Sequence, residues 1–89
     1  MAEYLDGNAM GGALGELFGV DVTAAVERCA SCGTSAVIGV ARVYPSGPGM
    51  VARCPTCDEV LVRLVRGADR AWLDLSGVSC LEVALPADA

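Results

Sequence analysis

Two stretches decide how this chain folds: Cys29-Ala30-Ser31-Cys32-Gly33 and Cys54-Pro55-Thr56-Cys57-Asp58. Two residues between cysteines allow a tight turn that aims both sulfurs, with some backbone N–H groups, at one point. A pair of such turns supplies the four thiolates of a tetrahedral site, with zinc–sulfur distances near ~2.3 Å. Twenty-one residues separate Cys32 from Cys54. They can run out along a strand, turn at Pro45-Ser46-Gly47-Pro48-Gly49 and return, which sets the second turn beside the first. Cys29, Cys32, Cys54 and Cys57 are therefore expected to bind one metal ion per chain, with zinc as the expected metal.

Three other readings compete for these residues. Iron also accepts tetrahedral sulfur ligation, and rubredoxin-like electron carriers share the CxxCG…CPxC pattern. Those carriers pack aromatics around the metal, and this chain has few near either turn, so iron stands as the alternative. A redox CxxC normally stands alone at a helix N-terminus, whereas both copies here lie between strand-like segments. Ordinary buried cysteines would not fall into two CxxC pairs by chance.

The chemistry open to such a site is narrow. Four thiolates fill a tetrahedron, and a catalytic zinc keeps one position for water. The chain has no His, so Ser–His and Cys–His nucleophile pairs and a His general base are out of reach. Asp58 and Glu59 adjoin the second turn and read as a solvated strand end. A structural metal and a non-enzymatic protein are expected.

Composition agrees with a small metal-stapled domain. At 89 residues the chain is expected to form a single domain spanning 1–89, of a size that often needs a metal or disulfides to stay folded. It is 54% hydrophobic and 19% charged, which excludes disorder. The net charge is -5, and four thiolates on a divalent cation make it more negative still. A nucleic-acid binder needs a positive field, so that role is disfavoured. Glu3 and Asp6 stand where a signal peptide would be basic. The longest uncharged run, Cys29 to Ala41, has 13 residues, too few to span a bilayer. An odd count of five cysteines suits a reducing compartment better than a disulfide scaffold. The expected location is cytoplasmic, with no membrane contact.

Outside the turns, residues 5–19 predict one amphipathic helix. Asp6 or Asn8 is its N-cap, Gly19 its C-cap, and Met10, Leu14, Leu17 and Phe18 form its apolar face. Residues 23–85 predict a β-ribbon carrying the metal site. Its strands are Thr23–Arg28, Ala36–Tyr44, Met50–Arg53, Glu59–Arg66, Arg70–Leu75 and Ser79–Leu85. Ala71, Leu73 and Leu75 oppose Arg70, Trp72 and Asp74, and Leu81, Val83 and Leu85 oppose Cys80, Glu82 and Ala84. The expected fold is mostly β: a small zinc ribbon of about six short antiparallel strands with one N-terminal helix. Cys80 reads as a small side chain on a terminal strand. Trp72 reads either as an exposed partner contact or as a residue covered by the helix. Arg63, Arg66 and Arg70 read as edge charges that discourage aggregation.

The chain resembles a family of small actinobacterial zinc-ribbon-like proteins, a domain of unknown function. The resemblance runs through Leu5-Asp6-Gly7-Asn8-Ala9, Phe18-Gly19-Val20-Asp21-Val22-Thr23-Ala24 and both cysteine turns. It continues through Val60-Leu61-x-Arg63-Leu64-Val65-Arg66 and Trp72-Leu73-Asp74-Leu75-x-Gly77. It implies a zinc-ribbon-like fold and an association with flavin- or molybdopterin-type oxidoreductases, but no activity. The closed site, the missing catalytic constellation and the acidic charge are what point to an accessory role beside a protein partner. Asp58 stands where a second knuckle more usually has Gly, and Cys80 matches no motif of the family.

Overall fold

Each cysteine turn needs a strand on either side, and Val stands on both sides of each, Val26 and Val37 around the first and Val51 and Val60 around the second. The computed structural model describes residues 4–19 and 22–84. Among them are eight strands: β1 (Leu5–Asp6), β2 (Val26–Cys29), β3 (Ser35–Val37), β4 (Arg42–Ser46), β5 (Gly49–Arg53), β6 (Val60–Arg66), β7 (Ala71–Asp74) and β8 (Val78–Glu82). One helix, α1 (Asn8–Phe18), follows β1. The molecule is mostly β with one N-terminal helix, as the sequence predicts, but its strands divide between two antiparallel sheets. One sheet has the order β1-β4-β5-β6-β7 and the other β3-β2-β8. Each cysteine turn thus joins a hairpin, β2–β3 in the smaller sheet and β5–β6 in the larger.

Two expected elements are drawn differently, for identifiable reasons. The single strand expected over Ala36–Tyr44 is broken by a 3₁₀ turn at Ile38–Val40. There the Ile38 and Gly39 amides donate to the carbonyls of Ala25 and Thr23, and the chain leaves one sheet for the other. Those hydrogen bonds are tertiary, so strand propensity in Val37-Ile38-Gly39-Val40 could not show them. The helix begins at Asn8, not residue 5, because Leu5 and Asp6 pair with Val43 and Arg42 of β4. The N-cap is Gly7, not Asp6 or Asn8, and no side chain caps the helix; Asp6 Oδ1 accepts from the Asn8 amide at 3.0 Å, just at its start. Gly19 closes the helix as expected, at φ 73° with its N–H on the Gly15 carbonyl.

The core lies between α1 and the inner face of the larger sheet. Met10 and Leu14 from the helix meet Val43, Ala52, Val62 and Leu64, with Ile38 and Ala41 closing one end, all fully buried. The expected apolar helix face is only half used: Leu17 and Phe18 are 40% and 53% exposed. In β7, Ala71 and Leu73 turn inward and Trp72 outward, as their alternation predicts. The inward-facing set of the last strand includes Leu85, which lies outside the described residues. No helix of the described residues is long and apolar enough to cross a membrane.

Candidate metal centre

The two cysteine turns are built alike. In the first, the Cys29 amide donates to the Thr34 carbonyl and the Gly33 amide to the Cys29 carbonyl, each at 2.9 Å. In the second, the Cys54 amide donates to the Glu59 carbonyl and the Asp58 amide to the Cys54 carbonyl, again at 2.9 Å. The closing residue is left-handed in both, with Gly33 at φ 77° and Asp58 at φ 67°. Asp is among the few side chains that adopt this conformation readily, so the second turn keeps the geometry that glycine gives the first. Asp58 is also held from outside: Arg53 Nη1 donates to its carbonyl at 2.9 Å, and Arg42 lies 4.0 Å from its carboxylate.

A register shift precedes each turn. Between Arg28 and Cys29 the pairing of β2 with β8 skips a residue, and between Ala52 and Arg53 that of β5 with β6 does the same. Such bulges bend a strand and re-aim its next side chains. Here the extra residues are Ser79 of β8 and Leu61 of β6, each on the partner of the strand that leads into a turn, and Cys29 and Cys54 are 2% and 1% exposed.

The four sulfurs converge. Cys29 Sγ lies 3.6 Å from Cys57 Sγ, and Cys32 Sγ lies 3.8 Å from Cys54 Sγ. All four lie within 4.8 Å of one another. A tetrahedron with zinc–sulfur bonds of about 2.3 Å has sulfur–sulfur edges of about 3.8 Å. The donor set therefore fits one tetrahedral ion, and these residues could hold a metal. Both short contacts run between turns, so a single ion would bridge the two hairpins. The Thr56 amide points at Cys54 Sγ at 3.4 Å, a donor suited to a thiolate.

The thiols are electrostatically unequal. Cys32 is exposed, and its pKa is lowered to about 6 by the Thr34 hydroxyl and then by the Thr34 amide. At Cys57 the Glu59 amide pulls downward, but desolvation and the crowding thiols of Cys29, Cys32 and Cys54 prevail, raising it to about 12. Four negative sulfurs this close repel one another. A divalent cation at their centre would remove that conflict and make all four thiolates.

The remaining residues singled out in the sequence are scattered. Cys80 is exposed on β8, opposite Arg28. Trp72 is 57% exposed and is not covered by the helix. Arg63, Arg66 and Arg70 form no single patch: Arg63 is the register partner of Asp74, Arg66 reaches back to Glu16 of the helix at 2.8 Å, and Arg70 pairs with Asp69.

Two residues that matter here were not singled out. Gly77 accepts from the Ala30 amide at 2.9 Å and donates to the Leu61 carbonyl at 3.2 Å, tying the first turn to the bulge beyond the second. Glu27 points inward and is 3% exposed, and burial raises its pKa to about 7. The signal for Glu27 was available, since Ala25, Glu27 and Cys29 alternate with Val26 and Arg28.

No curated protein and no solved structure matches this chain. A family model described as "Family of unknown function (DUF6510)" matches residues 1–86, nearly the whole chain and both cysteine turns, and the chain belongs to that family.

Proposed function

We propose that this is a small, non-enzymatic zinc-binding protein of the zinc-ribbon kind, with one structural ion held by Cys29, Cys32, Cys54 and Cys57. The observation that carries this reading is the convergence of four sulfurs from two hairpins at the spacing of a tetrahedron's edges. Four thiolates saturate the ion and leave no position for substrate or water, so its work is to hold the sheets together. The protein then acts by contact, as a cytoplasmic accessory to a protein partner, with an oxidoreductase as the partner class to test first.

Elemental analysis of protein purified without added metal should give one zinc per chain and no visible absorption. Red, iron-loaded protein that is reversibly reduced would replace this reading with a rubredoxin-like electron carrier. Cys54→Ser should abolish the cooperative melt; a variant that keeps the native melting curve counts against a structural ion. Recovery of the same oxidoreductase from the native host by metal-loaded bait, and not by chelated bait, would support the accessory role.

A further inference from the structure

An arginine precedes each cysteine turn: Arg28 stands before Cys29 and Arg53 before Cys54. Each reaches over its own turn to the residue that closes it. Arg53 Nη1 donates to the Asp58 carbonyl at 2.9 Å, so one hydrogen bond joins the residue before Cys54 to the residue after Cys57. In the first turn the Arg28 guanidinium lies over Gly33, its Nη2 3.9 Å from where a Cβ would stand. The same side chain thus bridges the two ends of each turn.

Charge gives this repeat a meaning. Four thiolates around a divalent cation leave two negative charges in excess, and two guanidiniums bring two positive ones. Groups that hold metal ligands from behind fix their orientation, and losing one costs about 10–100-fold in metal affinity. The two arginines are not held alike. Arg53 lies over the Tyr44 ring, 5.8 Å from its centroid, and Tyr44 packs on Tyr4 at 5.9 Å. Arg42 lies 5.5 Å over Tyr4 and 4.0 Å from the Asp58 carboxylate. A ring beneath a guanidinium restrains a side chain that is otherwise free to turn. Arg28 is exposed, and among the described residues it has no ion pair and no ring beneath it. The second turn is clamped firmly and the first loosely.

We infer that Arg53 and Arg28 are positioning residues for the metal ion, each holding one cysteine pair, a role that rests on the reading of the four cysteines as ligands. Arg53 is the stronger of the two because the Tyr4–Tyr44 stack anchors it. The site therefore opens first at the loosely held turn, where Cys32 is exposed while Cys54 in the other turn is buried.

Two measurements on the full-length protein test this. In competition with a chromophoric chelator, Arg53→Gln should weaken zinc binding about ten-fold or more, and Arg28→Gln by less. Tyr44→Leu, which removes the ring under Arg53, should reproduce part of the Arg53 loss. Arg70→Gln, which removes a guanidinium that pairs with Asp69 and touches neither turn, should leave affinity unchanged. Brief alkylation of the zinc-loaded protein, mapped by mass spectrometry, reads the order of opening. Apart from the free thiol of Cys80, Cys32 should react first in wild type, and Arg53→Gln should bring Cys57 forward to match it. A role confined to fold stability would speed all four ligands alike. Should Arg53→Gln fail to fold, Arg53→Lys keeps the charge without the fork and is compared in the same two ways. Native zinc affinity in the Arg53 variants, an equal loss in Arg70→Gln, or uniform alkylation of the four ligands overturns the inference. Wild-type protein that takes up no zinc overturns the metal reading as well, so the two failures are told apart.

Discussion

At the scale of single residues, the two turns differ in one informative position. Gly33 and Asp58 share a left-handed backbone, which costs most side chains roughly 1–2 kcal/mol. Asp58→Gly relieves the strain while surrendering the solvent-exposed contact with Arg42 and gaining chain entropy in the unfolded state, terms of similar size. It should leave unfolding free energy within about 1 kcal/mol of wild type, whereas Asp58→Val should cost about 2 kcal/mol or more. Denaturant melts of zinc-loaded protein distinguish the two, and equal losses would show that the Asp58 side chain, not its backbone, is what the turn needs. Asp74 supplies the pH-dependent case. Its Oδ1 accepts from the Ser76 amide at 2.8 Å, and this bond, then the Ser76 hydroxyl and Arg63, hold its pKa below the ordinary value. A folded-state pKa below the unfolded one stabilises the fold at higher pH, and the benefit is lost as pH falls through the folded value. The Asp74 carboxyl should titrate below the usual carboxylate range by carbon-13 NMR, and Asp74→Ala should flatten the acid limb of the stability curve in that window.

At the scale of elements, the cysteine hairpins were legible in the sequence and the connections between sheets were not. CxxC spacing names four ligands and two turns, because short-range geometry fixes where those sulfurs point. Alternation likewise placed Ala71 and Leu73 inward and Trp72 outward. What propensity could not show is where Val37-Ile38-Gly39-Val40 finds its partners, since the bonds that bend it come from Thr23 and Ala25. The half-used helix face has a similar origin. Leu17 and Phe18 carry the correct period, but Phe18 borders a cavity beside the smaller sheet where a core would be, and Leu17 lies beside the turn at 66–71 instead. Gly77 marks the connection most sensitive to change. It sits against the bulged Leu61, where an added Cβ would overlap the Val60 carbonyl oxygen and approach Leu61 Cα to 2.6 Å. Backbone on that side cannot yield without opening the bulge, so Gly77→Ala should cost about 2 kcal/mol or more. If instead it melts like wild type, the tie from Ala30 through Gly77 to Leu61 is not what fixes the first hairpin.

At the scale of the whole molecule, the buried side chains are unevenly shared. Most of the core belongs to α1 and the larger sheet, while the smaller sheet contributes Cys29 and Glu27 from β2, and β8 has no buried residue. The smaller sheet is thus held by its own ladders, by the Gly77 tie and by the sulfurs of Cys29 and Cys32. Structural zinc in such sites is worth roughly 10–16 kcal/mol in apparent terms, as much as the entire stability of a small domain. Removing it should therefore not loosen the fold evenly. Native-state hydrogen exchange on chelated protein should show protection lost first in β2, β3 and β8, with β4, β5 and β6 retaining the most. The single cooperative melt should give way to a broad one, and added zinc should restore both. Uniform loss would mean that the larger sheet also depends on the ion. Unchanged protection in β2 would mean that its ladders to β3 and β8 and the Gly77 tie hold that strand without help from the converging sulfurs.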